Sequence, residues 1–520
     1  MYDVVLLASI DMNIGKDLHR IENFAGLTMY SRAIGAYKLR THIESIGYKA
    51  KVIDYAYYMS EEQINTLLDK FVTSKTKILG LSTTYLFRRI DGSKEEDYLH
   101  LINPIRRIKE KYPDLKVVLG GPDASTIDFP PPVDYCIDGY AEGAITKILN
   151  DEPITTIDNP QGVKTIHGLH IGFPDDYKTE WKKEDYIQPH EVLPIEVSRG
   201  CIFKCAFCAF PLNGRKKFDY IRSADCLREE FLYNYEMFGT TRYVLTDDTF
   251  NDSVEKLTTL RDALADLPFT LGFVAYIKPE LLVRFPEMIP LLSELGLEHP
   301  SYGLETMHRQ ARKVIKKGYS GEEVLDKLTE LKKECLSRTN GLIFTGMFNM
   351  IVGLPYEDQE TLIKNLHYVE SHPSVDNTTW NAMSIQDPRN RVGRTLSDID
   401  LNPEKYGYKV GPLEPLEDIN PNKMTAGFRS TNLMYWKNES NGMDYFKAFM
   451  VTKKYFIDSF RGGKISGFQT AGLRSCGFDL TKHFNETDGS YDAITNEQID
   501  QMIDNITNHR EQYYEYQVAM

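Results

Sequence analysis

The sequence predicts an α/β chain with three successive parts. These are a doubly wound parallel sheet, a partial barrel of six βα units, and a mixed, mainly helical C-terminal region. Three observations predict it. Short apolar runs alternate with helical patterns over residues 1–150. The alternation resumes near residue 191 and repeats six times before residue 385. Beyond about Gln386 it loosens into Pro, Gly, Asn and aromatics.

In the first part, "DVVLLAS" (Asp3 to Ser9) has the unbroken apolar character of a strand buried on both faces. "MYSRAIGAYKLRTHIESIG" carries Ile34, Leu39, Ile43 and Ile46 near helical spacing, and Gly47 suits its stop. "KAKVIDY" is the second strand. "EEQINTLLDKFV" is a helix with Ile64, Leu67, Leu68 and Phe71 on one face. "KILGLST", "LKVVLGGP" and "VDYCIDG" are the third to fifth strands. Such sheets bind ligands at the carboxyl ends of their strands. Ser82, Thr83 and Thr84 stand at one such end, and Gly120 and Gly121 at another. Residues 151–190 read as a connector with little core.

In the second part the strands are "LPIEVSRG", "RYVLTDD", "FTLGFVAYI", "HPSYGLE", "FTGMFNMIVGLP" and "TTWNAMSI". Between them lie helices such as "SADCLREEFLYNYEMFG", capped by Ser223, and "SGEEVLDKLTELKKEC", where Ser320 and Glu323 form a capping box. Six units make an incomplete TIM-type barrel, and chemistry in such barrels belongs at the strands' carboxyl ends. In residues 386–520, helices return near "GMDYFKAFMVTKKYFIDSF" and "NEQIDQMIDNITNHREQYYEYQ". This region, with Tyr435 and Trp436, is expected to close over the substrate, and each of the two aromatics taken alone reads as apolar packing.

With 520 residues, 42% hydrophobic and 26% charged, the composition is that of a globular protein. No apolar run reaches the ~18–20 residues of a membrane span. "MYDVVLLASIDM" lacks a basic leader and reads as a first strand, so the expected compartment is the cytoplasm and no membrane partner is expected. The net charge of −14 disfavours a long nucleic acid as partner. The best basic patch is "GRKKF" (Gly214 to Phe218) with Arg222, and a solvated loop explains it.

Seven cysteines are an odd number without a disulfide framework's spacing. Three of them, Cys201, Cys205 and Cys208, crowd into "RGCIFKCAFCAF", directly after the first barrel strand. Thiolates are the usual ligands of iron–sulfur clusters and zinc. A four-iron cluster ordinarily takes four thiolates, so three local ones would leave one iron open. Three other readings stay open on the residues alone. One is buried free cysteines. Another is a Cys3His zinc site recruiting His190 or a distant histidine. The third is an electron-transfer cluster completed by a remote cysteine.

"CIFKCAFC" resembles the CxxxCxxC signature of the radical S-adenosylmethionine (SAM) superfamily, including the aromatic Phe207 before the last cysteine. The resemblance implies a [4Fe–4S] cluster on the three cysteines, whose open iron is chelated by SAM. It implies reductive cleavage of SAM to a 5′-deoxyadenosyl radical that abstracts a substrate hydrogen. An external electron donor such as flavodoxin or ferredoxin is implied with it. Further motifs fall at later strand ends. In "TDDTFN", Asp247 and Asp248 look like the acids that receive the SAM ammonium, a contact that suits a carboxylate. Either acid alone also reads as a helix N-terminal acid. In "SYGLET", Glu305 looks like the ribose-binding acid, with Ser301 a weaker neighbour. In "IVGLPYE", Gly353 and Pro355 resemble the family's GxPxE turn, and Ile351 or Val352 would flank the adenine.

"VVLGGPDAST" followed by "VDYCIDGYAEGA" resembles the cobalamin-binding domains fused ahead of such enzymes. Ser82, Thr83, Thr84, Gly120 and Gly121 would then contact cobalamin. The histidine loop of the older cobalamin domains is missing: "DMNIGK" has Asn13 where a histidine might stand, and "DLHRIE" lacks the glycine. The two resemblances cover roughly residues 1–385. Together they imply methyl transfer to an unactivated carbon of a small-molecule or peptide substrate. The alternatives are radical rearrangement, epimerisation or oxidation without cobalamin, or a non-catalytic iron–sulfur or zinc protein. The ordered acids Asp247, Asp248 and Glu305 count against the last.

Overall fold

The computed structural model describes residues 1–9, 32–83, 98–121, 124, 131–159, 162–171, 174, 176–209, 222–338, 344–388, 396–412, 434–461, 467–478, 482, 484–485, 490–491 and 496–520. Thr84, Asp11 to Glu22 and Gly214 to Phe218 lie outside them. The chain is α/β: the described residues form two large sheets, two small antiparallel pairs and a largely helical C-terminal region.

The first sheet contains β1 (Val4–Leu7), β2 (Ala50–Ile53), β3 (Ile78–Ser82), β4 (Lys116–Gly120), β5 (Tyr135–Asp138), β6 (Ile157–Asp158) and β7 (Lys164–His167). Its order is β2-β1-β3-β4-β5-β7-β6. All pairings are parallel except β6 with β7. The strands are short apolar runs because helices cover both faces; β1 and β2 are buried throughout. The predicted helices form at Ile34–Ser45 and Glu61–Phe71, the latter with a complete capping box from Ser60 and Gln63.

Two further helices, Leu99–Lys111 and Glu142–Leu149, were not expected from the sequence. Pro104 inside the first of them reads as a breaker in one dimension, but Leu101, Ile102, Ile105 and Ile108 bury one face. The stretch expected as a connector also holds core. Its β6 and β7 extend the first sheet, and Trp181 is fully buried against Tyr37 at 4.2 Å between ring centroids.

The second sheet contains β8 (Leu193–Ile195), β9 (Arg242–Leu245), β10 (Gly272–Ile277), β11 (Leu297–Glu305), β12 (Met347–Val352) and β13 (Asn377–Ala382). All six are parallel and stand in sequence order, β8 to β13. Helices including Ala224–Phe238 and Gly321–Arg338 return the chain between strands. Ser223 caps the first, accepting from the Cys226 amide, and Ser320 and Glu323 close the expected box on the second.

The C-terminal region divides its packing. An antiparallel pair, β14 (Tyr408–Pro412) with β15 (Met434–Asn438), delivers the buried Trp436 to the end of β12. Helix Gly467–Ser475 lies against β9, β10 and β11. Helix Asn496–Ala519 reaches back to the first sheet, where the Tyr513 hydroxyl accepts from the Asp54 amide at 2.9 Å. Arg222, counted with the basic patch, is buried and paired with Glu230 at 2.6 Å. Among the described residues no helix is long and apolar enough to cross a membrane.

Candidate active site

The carboxyl ends of β8 to β12 collect the singled-out residues. After β8 the chain runs through Glu196 and Val197 to Gly200, whose φ of +87° turns it into Cys201. Cys201, Cys205 and Cys208 are all half-buried and unbridged. The Cys205 carbonyl accepts from the Cys208 amide at 3.1 Å, and the Ala206 amide bonds Ile315 at 3.3 Å. Burial pushes the Cys201 thiol pKa up, and its sulfur lies 3.4 Å from Thr249 Oγ1.

The acids after β9 divide their work. Asp247 is fully buried: it accepts from the Val197 amide at 3.0 Å and from the Ser198 hydroxyl, and Lys256 stands 3.6 Å away. It thus holds the start of the cysteine loop. Asp248 is half-buried, and burial, with Asp247 and Glu196 nearby, raises its pKa to about 7. Asn251 in the same turn grips the backbone of Lys278 at the end of β10: its amide donates to the Lys278 carbonyl at 3.1 Å and its oxygen accepts the Lys278 N–H at 2.8 Å. The Lys278 ammonium then reaches Cys205 Sγ at 3.7 Å and lies 4.8 Å from the Phe203 ring centroid.

Glu305 ends β11 with φ of +68°, in a register shift against β12. Burial raises its pKa, and Lys317, 3.3 Å away, opposes that shift. Lys317 also donates to the Gly303 carbonyl at 2.6 Å and stands 6.0 Å from the Phe207 ring centroid. A side chain at Gly303 would run into Glu305 Oε1, so the small residue lets the acid fold back there. Ser301 is buried and accepts from Asn349 at 2.8 Å.

At the end of β12, Ile351 is half-buried, and Val352, Gly353 and Pro355 are buried. Gly353 takes φ of +95° under Trp436, and its carbonyl accepts from the Tyr408 hydroxyl at 2.8 Å. Glu357 completes the turn. It accepts from Thr306 at 2.9 Å and Asn365 at 2.8 Å, so the β11 and β12 ends are fastened together.

In the first sheet, Ser82 pairs in register with Gly120, and Thr83 bonds the Gly120 carbonyl through its amide (2.7 Å) and its hydroxyl (3.0 Å). Gly121 adopts φ of +119°, and a Cβ on Gly120 would meet no atom within 4 Å. The β3 and β4 ends are therefore brought together, with no atom of the described residues against Gly120. The segment just beyond β5 connects to the cysteine loop through Arg199, which pairs with Glu142 at 2.6 Å and Glu196 at 2.9 Å and lies over the Tyr140 ring. The Tyr177 hydroxyl donates to the same Glu142 oxygen at 3.0 Å, and Lys38 pairs with Glu196 at 2.9 Å.

Among the described residues no three His, Cys, Asp or Glu side chains converge on a single ion. A four-iron cluster takes its thiolates at separate irons, so such convergence is not required. Three half-buried thiols with a lysine at one sulfur suit a cluster by donor type. Sequence reading did not find Arg199, Asn251, Lys278, Lys317 or Glu357. Of these, Glu357 had a signal, as the last position of the GxPxE turn; the others act through neighbours that only the strand order supplies.

Residues 195–369 match the model of the Radical SAM superfamily. The matched stretch runs from the end of β8 past β12 in the second sheet, and the family it resembles carries a [4Fe–4S] cluster and SAM. Among curated proteins the chain is 24% identical over 332 residues to the tRNA-2-methylthio-N(6)-dimethylallyladenosine synthase of Herpetosiphon aurantiacus, covering 60% of this chain and 67% of that one. It is 24% identical over 264 residues to the bacteriochlorophyllide d C-8(2)-methyltransferase of Chlorobaculum tepidum, covering 48% and 56%. Its fold is similar to that of the radical S-adenosylmethionine methyltransferase TsrM from Kitasatospora setae, with a TM-score of 0.56 and 17% identity over 81% of this chain and 82% of that one. A second TsrM structure, with cobalamin and a [4Fe–4S] cluster bound, gives 0.54.

Proposed function

We propose that the chain is a cobalamin-dependent radical SAM methyltransferase acting on an unactivated carbon of a small-molecule or peptide substrate. One observation carries the reading. The loop bearing Cys201, Cys205 and Cys208 is built on one sheet edge with Asp248, Glu305 and the Gly353 turn, and Arg199 ties that loop to Glu142, just beyond β5 of the other sheet. A loop joined to both sheets suits chemistry that uses a cofactor from each.

In this reading the three cysteines hold the [4Fe–4S] cluster. Asp248 receives the SAM ammonium while Asp247 holds the loop that carries Cys201. Glu305, kept in place by Lys317, takes the ribose hydroxyls, with Ser301 behind it. Phe207, Ile351, Val352, Gly353 and Pro355 line the adenine side and exclude water. Ser82, Thr83, Gly120 and Gly121 form the cobalamin contact, with Thr84 beyond them. When bound, the cluster and cobalamin supply the electron that cleaves SAM and the methyl group that is transferred. A flavodoxin or ferredoxin delivers the electron.

The decisive experiment is expression with hydroxocobalamin, followed by an absorption spectrum of the purified protein. A retained corrinoid supports methyl transfer. Loss of the corrinoid with continued release of 5′-deoxyadenosine leaves radical chemistry without cobalamin. Anaerobic reconstitution is expected to give about four irons per chain; zinc without iron would end the radical reading. A triple Cys→Ala variant at 201, 205 and 208 is expected to release no 5′-deoxyadenosine.

A further inference from the structure

The two sides of the cysteine loop differ in charge. Beside Cys201 stand Thr249 and, in its electrostatic range, Asp248. Beside Cys205 stands Lys278, with its ammonium 3.7 Å from the sulfur. Lys278 is not a loose surface lysine. Its side chain is 10% exposed, and Asn251 clamps its backbone by two hydrogen bonds from the neighbouring strand end.

The counter-charges near it are already shared. Glu280 lies 3.7 Å from Lys278, but it also pairs with Arg312 at 2.7 Å and faces Lys317 at 3.9 Å. Glu305 pairs with Lys317. Among the described residues, three cations (Lys278, Lys317 and Arg312) share the carboxylates Glu280 and Glu305, and Lys278 is the cation whose ammonium lies against Cys205.

We infer that Lys278 tunes the iron–sulfur site: its ammonium, held against the Cys205 sulfur, favours the reduced state of a cluster carried on Cys201, Cys205 and Cys208. The inference rests on the reading in which those thiols hold a cluster. Cluster potentials respond to net charge and to hydrogen bonds at the sulfurs, and Lys278 brings both. Reduction adds one electron from an external donor, so a fixed cation at a ligand sulfur stabilises the product more than the reactant. Lys278 is in this sense a positioning and tuning residue.

The test is a dithionite titration of the reconstituted protein, followed by electron paramagnetic resonance of the reduced cluster. Lys278→Met is expected to disfavour reduction at least threefold, which is about 28 mV toward lower potential at 59 mV per decade for one electron. Lys278→Arg keeps the cation and is expected to keep the wild-type potential. Glu280→Gln removes a counter-charge and is expected to raise it. A Lys278→Met protein with full iron and an unchanged potential overturns the inference. So does a shift as large in Lys278→Arg as in Lys278→Met. If Lys278→Met changes only the KM for SAM, the lysine serves the cosubstrate and the inference also fails. Should Lys278→Met lose its iron, Glu280→Gln decides: no rise in potential overturns the proposal. A wild-type protein that does not take up about four irons defeats the underlying reading instead.

Discussion

Gly353→Ala is expected to destabilise the chain and to weaken SAM binding in one stroke. Gly353 closes β12 at φ of +95°. An alanine held in a left-handed conformation costs about 1–2 kcal/mol. Its Cβ would stand 2.3 Å from Trp436 Cη2 and 2.8 Å from Cζ2. The indole has nowhere to retreat. It is fully buried, its Nε1 donates to the Met383 carbonyl at 2.7 Å, and Tyr408 meets it edge-on at 5.3 Å between centroids. Overpacking of this kind costs about 1–3 kcal/mol, for a total of about 2–5 kcal/mol. At about 2–4 °C per kcal/mol for a unit of 150–250 residues, the melting temperature should fall by roughly 4–20 °C. Scanning calorimetry of the apo protein measures that fall, and 5′-deoxyadenosine release against SAM concentration measures the rise in KM. The double variant Gly353→Ala/Trp436→Phe removes the clash but not the backbone strain, so the two changes should couple by about 1–2 kcal/mol. A single variant melting within 1–2 °C of wild type (roughly 0.5 kcal/mol), or strictly additive substitutions, would refute the packing argument.

Further outcomes follow from the same geometry. Asp248→Asn should raise the KM for SAM by about 10–100-fold, the worth of a charge-assisted hydrogen bond, with iron content unchanged. Because the Asp248 pKa is raised to about 7, wild-type SAM affinity should climb as pH rises through 7 and then level off; this dependence should vanish in the variant. Asp247→Asn should instead lower iron retention, since that acid anchors Val197 and Ser198. Glu142→Gln should cost about 3 kcal/mol in denaturant unfolding by leaving a buried arginine undercompensated, and adding Arg199→Met should recover part of the loss. Burial raises the Glu357 pKa from 4.5 to about 7. The folded chain then keeps a proton that the unfolded chain releases, so stability falls as pH rises from about 4.5 to 7, by about 3 kcal/mol in all. Melting curves of Glu357→Gln across that range should lack this slope.

Strands such as β1 and β10 were legible because each is a short unbroken apolar run, the pattern that burial on both faces demands. The helix at Leu99–Lys111 was not, because Pro104 masks a periodic face that tertiary packing completes. Strands β6 and β7 were hidden by length and polarity: two exposed residues, then "KTIH". The site divides in the same way. Cys201, Cys205 and Cys208 announce themselves because thiols are scarce and chemically committed. Lysines are neither, so Lys278 and Lys317 acquire meaning only from a strand order that sets the ends of β10 and β11 beside the loop.

The Asp247–Asp248 pair shows most clearly why sequence alone falls short. Asp247 and Asp248 lie in the turn two and three residues beyond β9, where the first is buried and the second half-buried. "TDD" in sequence announces two carboxylates for one ligand. The fold assigns Asp247 to Val197 and Ser198, and leaves Asp248 half-buried, with burial and its acidic neighbours opposing its charge. A carboxylate in that state gains more from an incoming ammonium than a solvated one would, because the cation offsets a desolvation already incurred. On the proposed reading, the acid that looks redundant in sequence is the one that makes its neighbour effective: Asp247 anchors the loop and adds part of the negative charge around Asp248.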